Sequence, residues 1–166
     1  MKKQLLALFG VVCVIASVLC ACSAKTAKDI SLYDLKNAMA QATDKFSDMT
    51  YASSEDNDAA NIFTNISQMN YSKVKGFCVY YATNGTGNAD EIAIIQVKKS
   101  GDLTEARKSL EAHLEKRKSL YSTYDKSQLK KLEGARVVSA ENCAALIVAD
   151  DADKISDAFY SFFKGN

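Results

Sequence analysis

Two stretches near the middle of the chain, residues 74–83 (VKGFCVYYAT) and 91–98 (EIAIIQVK), are apolar on both sides of the alternation that a strand imposes. Successive strand side chains point to opposite faces. Phe77, Val79 and Tyr81 therefore share one face, with Cys78 and Tyr80 on the other. In the second stretch Ile92 and Ile94 oppose Ala93, Ile95 and Val97. A sheet built from such strands has to be covered on both faces, because helices on one side alone would leave a broad apolar surface in water. Both stretches are rich in the aromatic and β-branched residues that favour strands. The intervening Asn84-Gly85-Thr86-Gly87-Asn88 is a turn-rich linker of hairpin length.

The remaining elements are read around this pair. Ser31 is a good helix N-cap with Asp34 in the first turn. Leu32, Leu35, Met39, Ala42 and Phe46 then form one apolar stripe. Residues 47–58 are polar and read as a loop; residues 59–69 read as a shorter helix capped by Asp58. A long helix is expected over 103–121, started by Ser100-Gly101-Asp102, with Leu103, Ala106, Leu110, Leu114, Arg117 and Tyr121 on one face. A short helical turn around Leu129 and Leu132 occupies 125–134. Strands at 136–140 and 143–149, joined tightly at Glu141-Asn142, lead into a helix over 152–163 capped by Asp150 or Asp151. Its buried side is Ile155, Phe159, Phe162 and Phe163. The expected fold is α+β: an antiparallel sheet of about four strands in two hairpins with helices packed on it, two strand–strand–helix units following an N-terminal helical pair. The second sheet face is covered either by the N-terminal helices or by another protein. The stripe from Leu32 to Phe46 needs a place to pack, which favours the helices. The chain has no proline, so its turns rest on Gly, Asn and Asp.

The N-terminus gives an address. Lys2 and Lys3 precede an uncharged apolar run over residues 5–21, the pattern of a secretory signal, with a retained membrane helix as the competing reading. Leu19-Cys20-Ala21-Cys22 resembles a bacterial lipobox, and Cys22 fits the modified position better than Cys20, which bulky Leu19 precedes. That resemblance implies thioether lipidation of Cys22 and cleavage before it. At ~0.8 kcal/mol per buried methylene, two acyl chains hold a protein on a bilayer where one would not. The expected division is a signal peptide over 1–21, a lipid-anchored tether over 22–30 and a single α+β domain over 31–166. Without Lys2 and Lys3 the chain carries 19 basic against 20 acidic side chains, a net charge of about −1. That leaves no basic excess to gather phosphates, and nucleic acid is not an expected partner.

Candidate sites are few. Of five cysteines, Cys13 and Cys20 leave with the signal and Cys22 takes the lipid. Cys78 and Cys143 remain, either as a disulfide outside the membrane or as two small core residues. Gly85-Thr86-Gly87 lacks the third glycine and the following helix of a dinucleotide site, and reads as a turn. His113 is the only histidine; it has no second histidine for a metal pair and reads as a partly exposed helical residue. The acidic groups at 55–58 and 150–153 stand where helices begin and lack the glycine and distal glutamate of a calcium loop, so capping explains them. Arg117 sits on the apolar stripe of the long helix. Either its stem covers the core edge with the head in water, or it pairs with a carboxylate near the sheet, for which Asp90 and Glu91 are the candidates. Tyr80, Tyr81, Tyr121 and Tyr124 could line a groove, although tyrosines on a half-buried sheet need no ligand. No catalytic, cofactor or metal constellation is recognisable, and no cofactor is expected.

Ala89-Asp90-Glu91-Ile92-Ala93-Ile94 follows a tyrosine-bearing strand, and a helix bearing Lys116-Arg117 comes after it. Tyr124 and the Leu129 to Leu132 segment then precede paired strands ending in Ala145-Leu146-Ile147-Val148. On these features residues 62–163 resemble a bacterial (Firmicutes) lipoprotein family of unknown function, a domain of unknown function of the DUF4358 type. The resemblance implies a membrane-anchored extracytoplasmic domain and brings no catalytic residues with it. The expected function is a non-enzymatic binding or scaffold domain for a protein, peptide or cell-envelope component. Its expected location is the outer face of a Gram-positive-type cytoplasmic membrane, held through lipid on Cys22. The alternative is a cell-envelope hydrolase or processing enzyme built around carboxylates that the sequence does not group.

Overall fold

A computed structural model of the chain describes residues 29–165. The expected signal peptide and the lipidation site Cys22 lie outside the described residues. The described part is α+β, built on one antiparallel sheet. Its strands are β1 (Met49–Ser53), β2 (Val74–Ala82), β3 (Glu91–Val97), β4 (Arg136–Ala140) and β5 (Cys143–Val148), in the spatial order β1-β2-β3-β5-β4. The helices are α1 (Leu32–Ala40), α2 (Ala59–Ile66), α3 (Leu103–Tyr124), α4 (Leu129–Glu133) and α5 (Ala152–Lys164). Among the described residues no helix is long and apolar enough to cross a membrane.

β3 and β5 lie at the centre and every residue of both is buried. Their register sets Ile92 opposite Ile147 and Ile94 opposite Ala145. Each face of the pair has its own helical cover. Phe77, Val79, Ile95 and Leu146 pack with Phe63 of α2, Leu110 of α3 and Leu132 of α4. Cys78, Ile94 and Ile147 pack with Leu35 and Met39 of α1 and Ile155 and Phe159 of α5. Two-sided burial is thus met within the chain, in three layers, and the two N-terminal helices end up on opposite faces. α1 stops at Ala40, but Ala42 and Phe46 still pack into the same layer. At the start of β2, Gly76 leaves room for α1: a Cβ there would stand 3.3 Å from Leu32 Cδ1 and from Ser54 Oγ.

The sheet has five strands, one more than expected, because residues 49–53 pair with β2 instead of looping. β1 is a short edge strand with only Ser53 buried. Its polar composition reflects an outer position, and its partner is fixed by register with residues 78–82. The second hairpin is inserted in an instructive way. β5 is antiparallel to both β3 and β4, so β4 runs parallel to β3 with β5 between them. Parallel strands need a long crossover, and α3 with α4 supplies it. The β4–β5 turn places Glu141 at φ 52°. Its neighbour Asn142 is buried, donates from Nδ2 to Val97 O at 3.1 Å and accepts from Val97 N at 2.9 Å. That turn is thereby locked to the end of β3.

Cys78 and Cys143 are both buried free thiols, so the disulfide considered from the sequence is not formed. Cys78 stands opposite Ile94 from the β2 side and Cys143 opposite Gln96 from the β5 side. With β3 between them the backbones are about two strand spacings apart, ~9.6 Å, beyond the ~7 Å that a disulfide can bridge. Burial pushes both thiols up to about 12.

Two outcomes follow from this packing. Phe159 is fully buried against the sheet, so Phe159→Ala should lower the unfolding free energy by about 3–5 kcal/mol, read by urea denaturation. The peptides carrying Cys78 and Cys143 should stay unlabelled by iodoacetamide in the folded protein and label fully in denaturant without reductant, read by mass spectrometry.

Candidate functional site

His113, Arg117 and Tyr121 follow one another at intervals of four along α3, which puts them on one helical stripe. α3 lies over the sheet face that carries Leu146 and Ile95, so this stripe meets the end of the β2–β3 connection. Glu91, the first residue of β3, is opposite Tyr81 and Val148 and turns its side chain toward α3. Arg117 Nη1 donates to Glu91 Oε2 at 2.8 Å, and His113 Nε2 lies 2.9 Å from Glu91 Oε1. Arg117 Nη2 also donates to Ala89 O at 3.0 Å, and Tyr121 OH donates to Asn88 O at 3.1 Å. The guanidinium sits 5.7 Å from the centre of the Tyr121 ring, within range of a cation–π contact.

The charge state follows from these contacts. Burial pushes the Glu91 carboxyl up, but the Arg117 guanidinium and the His113 hydrogen bond together outweigh it and hold the group below its ordinary value. Glu91 is ionised, so His113 Nε2 carries the proton and donates. An acid held in this way is a poor proton donor near neutral pH.

Asp90 has a different partner from the one expected. Its Oδ1 is 2.8 Å from Lys131 Nζ, and Lys131 Nζ also donates to Asn88 Oδ1 at 2.9 Å. Asn88 Nδ2 donates in turn to Asp90 Oδ2 at 2.7 Å, and Ala89 N donates to Gln128 Oε1 at 3.1 Å. Of the three residues grouped from the sequence, Arg117 and Glu91 meet, while Asp90 is engaged by Lys131 of α4. His113, read from sequence as a partly exposed helical residue, has a side chain only 12% exposed and bonded to Glu91. Its spacing of four from Arg117 was the available signal. Glu91, however, lies 22 residues away, and only the docking of α3 on the sheet joins them.

Beside this clasp runs an open cleft of about 530 Å³, between α3 and the chain around the end of α2. Ser67, Lys108, Ser109, His113 and Lys116 are among its lining residues. The Ser67 and Ser109 hydroxyls are 2.6 Å apart, and Glu105, also in the lining, is ion-paired with Lys73. His113 thus reaches from the buried carboxylate to the cleft.

The other sequence candidates are placed elsewhere. Neither Asp58 nor Asp151 makes a side-chain cap bond. Asp58 accepts from Asn61 Nδ2 at 2.6 Å, whereas Asp151 accepts from Thr43 Oγ1 at 3.0 Å and Lys45 Nζ at 3.1 Å. Asp151 therefore ties the chain after α1 to the start of α5, a long-range use that local sequence could not reveal. Gly85 and Gly87 both take positive φ in the β2–β3 turn. Tyr80 helps to enclose the buried Lys36, whose Nζ lies 4.8, 5.2 and 5.0 Å from the Tyr33, Tyr51 and Tyr80 ring centres and also donates to Asn37 Oδ1. Tyr81 packs against the α3 side of the core and Tyr124 is exposed. The four tyrosines do not share one groove.

Residues 47–149 match the family described as Domain of unknown function (DUF4358). That is more than half of the chain, which therefore belongs to this family, as the resemblance read from the sequence indicated. No curated protein and no solved structure gives a significant match.

Removing one partner of the clasp should expose its electrostatics. Arg117→Met leaves a buried carboxylate short of its main counter-charge and should cost about 3–5 kcal/mol at neutral pH. The pH dependence should also change sign. In the native protein Glu91 titrates below its ordinary value, so its stabilisation is present above the unfolded carboxylate range and is lost as pH falls through the lowered folded value. In Arg117→Met burial raises that group instead, and acidification should relieve part of the loss. Urea midpoints between neutral pH and the acid limb read both effects.

Proposed function

We propose that this DUF4358 domain is the extracytoplasmic binding or scaffold part of a lipoprotein on the outer face of a Gram-positive-type membrane, as found in Firmicutes. Its occupant is a protein, peptide or cell-envelope component. The address is supported by the apolar leader closed by Leu19-Cys20-Ala21-Cys22. Binding in preference to chemistry is supported by one observation above the others. Asp90 and Glu91 are the buried carboxylates of the described residues, and each is matched by a cation and fixed by hydrogen bonds. A hydrolase of the carboxylate type needs an acid whose pKa is raised toward the working pH, whereas Glu91 is moved the other way.

A second reading, a cell-envelope hydrolase or processing enzyme, draws on a different feature. His113 has one ring nitrogen held by Glu91 and also lines the cleft, an arrangement in which a carboxylate orients a base. Crosslinking the full protein in its own envelope separates the two. Stable capture of one component, unchanged in a His113→Gln variant with native stability, supports binding. A bound species that turns over in the native protein and accumulates in the variant supports the enzyme.

Anchoring has its own test. The native chain should fractionate with membranes, and its N-terminal peptide should begin at a lipid-modified Cys22. Cys22→Ser should leave unprocessed precursor or release the protein into the medium. Normal processing and membrane retention of Cys22→Ser would remove Cys22 from its role.

A further inference from the structure

The cleft beside α3 holds positive charge that the domain does not neutralise. Some cations of the described surface are matched, Arg107 by Glu111, Lys118 by Glu115 and Arg136 by Asp153, and others such as Lys99 and Lys130 are not, so what sets an unmatched pair apart is the cleft it lines. Lys73 takes Asp102 and Glu105 together, so Glu105, the carboxylate in the cleft lining, is already satisfied. Lys108 and Lys116, by contrast, line the cleft and are exposed, and among the described residues they make no ion pair. They stand eight positions apart, two turns of α3, or about 12 Å along its axis. Ser109 and His113 lie between them on the same side of the helix, both in the lining.

His113 adds a second, independent observation. Its Nε2 is committed to Glu91. No buried side-chain nitrogen or oxygen of the described residues lacks a partner, and Nδ1 has none among them. Nδ1 is therefore accessible from outside, on a residue that lines the cleft. The ring cannot turn away to suit a ligand without breaking its bond to an ionised, buried carboxylate, which makes it a fixed element of the wall. Ile66, Met69 and Ala112 supply apolar surface to the same cleft, against which the carbon part of a ligand can rest.

We infer that this cleft binds a small hydroxyl-bearing organic anion through carboxylate or phosphate oxygens, with Lys108 and Lys116 supplying the charge, the Ser109 hydroxyl donating between them, and His113 Nδ1, whose ring carries its proton on Nε2, accepting from a hydroxyl of the ligand. This rests on the binding reading above and names the ligand chemistry of the cleft; it does not depend on the lipid at Cys22. Ammonium groups on flexible stems act as point charges for such oxygens. At an exposed site their pull is screened over ~8 Å at physiological salt, so binding weakens as salt rises.

His113 is the only histidine in the chain, so histidine-labelled full-length protein in neutral detergent micelles gives a single imidazole resonance to follow. Inorganic phosphate, succinate and glycerol 3-phosphate are titrated separately at constant ionic strength, with sodium chloride as the balance. The expected result is a saturable shift with a Kd on the order of a millimolar. The double variant Lys108→Ala/Lys116→Ala should weaken it about five- to tenfold, while Lys164→Ala, outside the cleft, leaves it unchanged. A shift with the soluble anions assigns a free small molecule; a shift only when phosphatidylglycerol enters the micelles assigns a lipid headgroup carrying the same oxygens. No shift with any of these, a shift still linear at ~50 mM, or one that survives the double variant would overturn the assignment. Because the labelled ring also reports folding through its bond to Glu91, an unperturbed starting spectrum of the double variant excludes loss of structure as the cause. Capture of an envelope component that persists in the double variant would sink this ligand class and leave the binding reading standing.

Discussion

The architecture depends on the burial of both faces of the central strand pair. β3 and β5 contain no exposed residue, and each buried Ile or Leu contributes about 1.5–3 kcal/mol relative to remaining in water. A sheet with one apolar face can be satisfied by one helical layer; this pair cannot. The chain answers by sending α1 and α5 to one side and α2, α3 and α4 to the other. Everything of functional interest is a by-product of that second layer, because the long helix that closes it also brings a polar stripe over the mouth of β3.

Placing Glu91 at that mouth is costly, since an ion loses its hydration there. Arg117 and His113 offset the loss on both carboxylate oxygens, and Lys131 does the same for Asp90 one residue earlier. Such groups add little net stability compared with a well-packed apolar alternative. What they supply is position: a one-turn slip of α3 would leave the carboxylate unmatched, so the helix has one acceptable setting. The adjacent side of the same helix is thereby held at a fixed place and angle, and the wall of the cleft inherits its rigidity from a buried charge pair rather than from contacts of its own.

Most of this fold was legible because its strong signals are local. The apolar alternation of β2, β3 and β5, the Ser31 cap and the stripe of α3 each sit within a single window of sequence. β1 was missed for the opposite reason. Met49-Thr50-Tyr51-Ala52-Ser53 carries no run of apolar residues, because an edge strand lies half in solvent, and its strand character comes from the free edge of β2. The Arg117–Glu91 pairing could be read as one of two options, because an arginine on an apolar stripe either sends its head to water or meets an acid. Asp90, next in sequence, was indistinguishable from Glu91 until the backbone decided which faced α3. His113 and the acidic residues before α5 were undervalued because their partners lie 22 and more than 100 residues away.

The position of β5 sets the order in which the molecule can be assembled. Residues 91–97 and 143–148 are neighbours in the sheet, yet α3, α4 and β4 intervene along the chain. Until residues 143–164 have emerged, β3 keeps an open edge and the layer of α1 lacks its companion α5. The first hairpin and β1 can form early, but they have no finished surface to close upon. Contacts between segments so distant in sequence slow the search for the native state, and a nascent chain stalled before residue 143 would display β3, buried along its whole length in the finished fold, with one edge unpaired. A polypeptide with this connectivity is therefore best kept unfolded until it is whole.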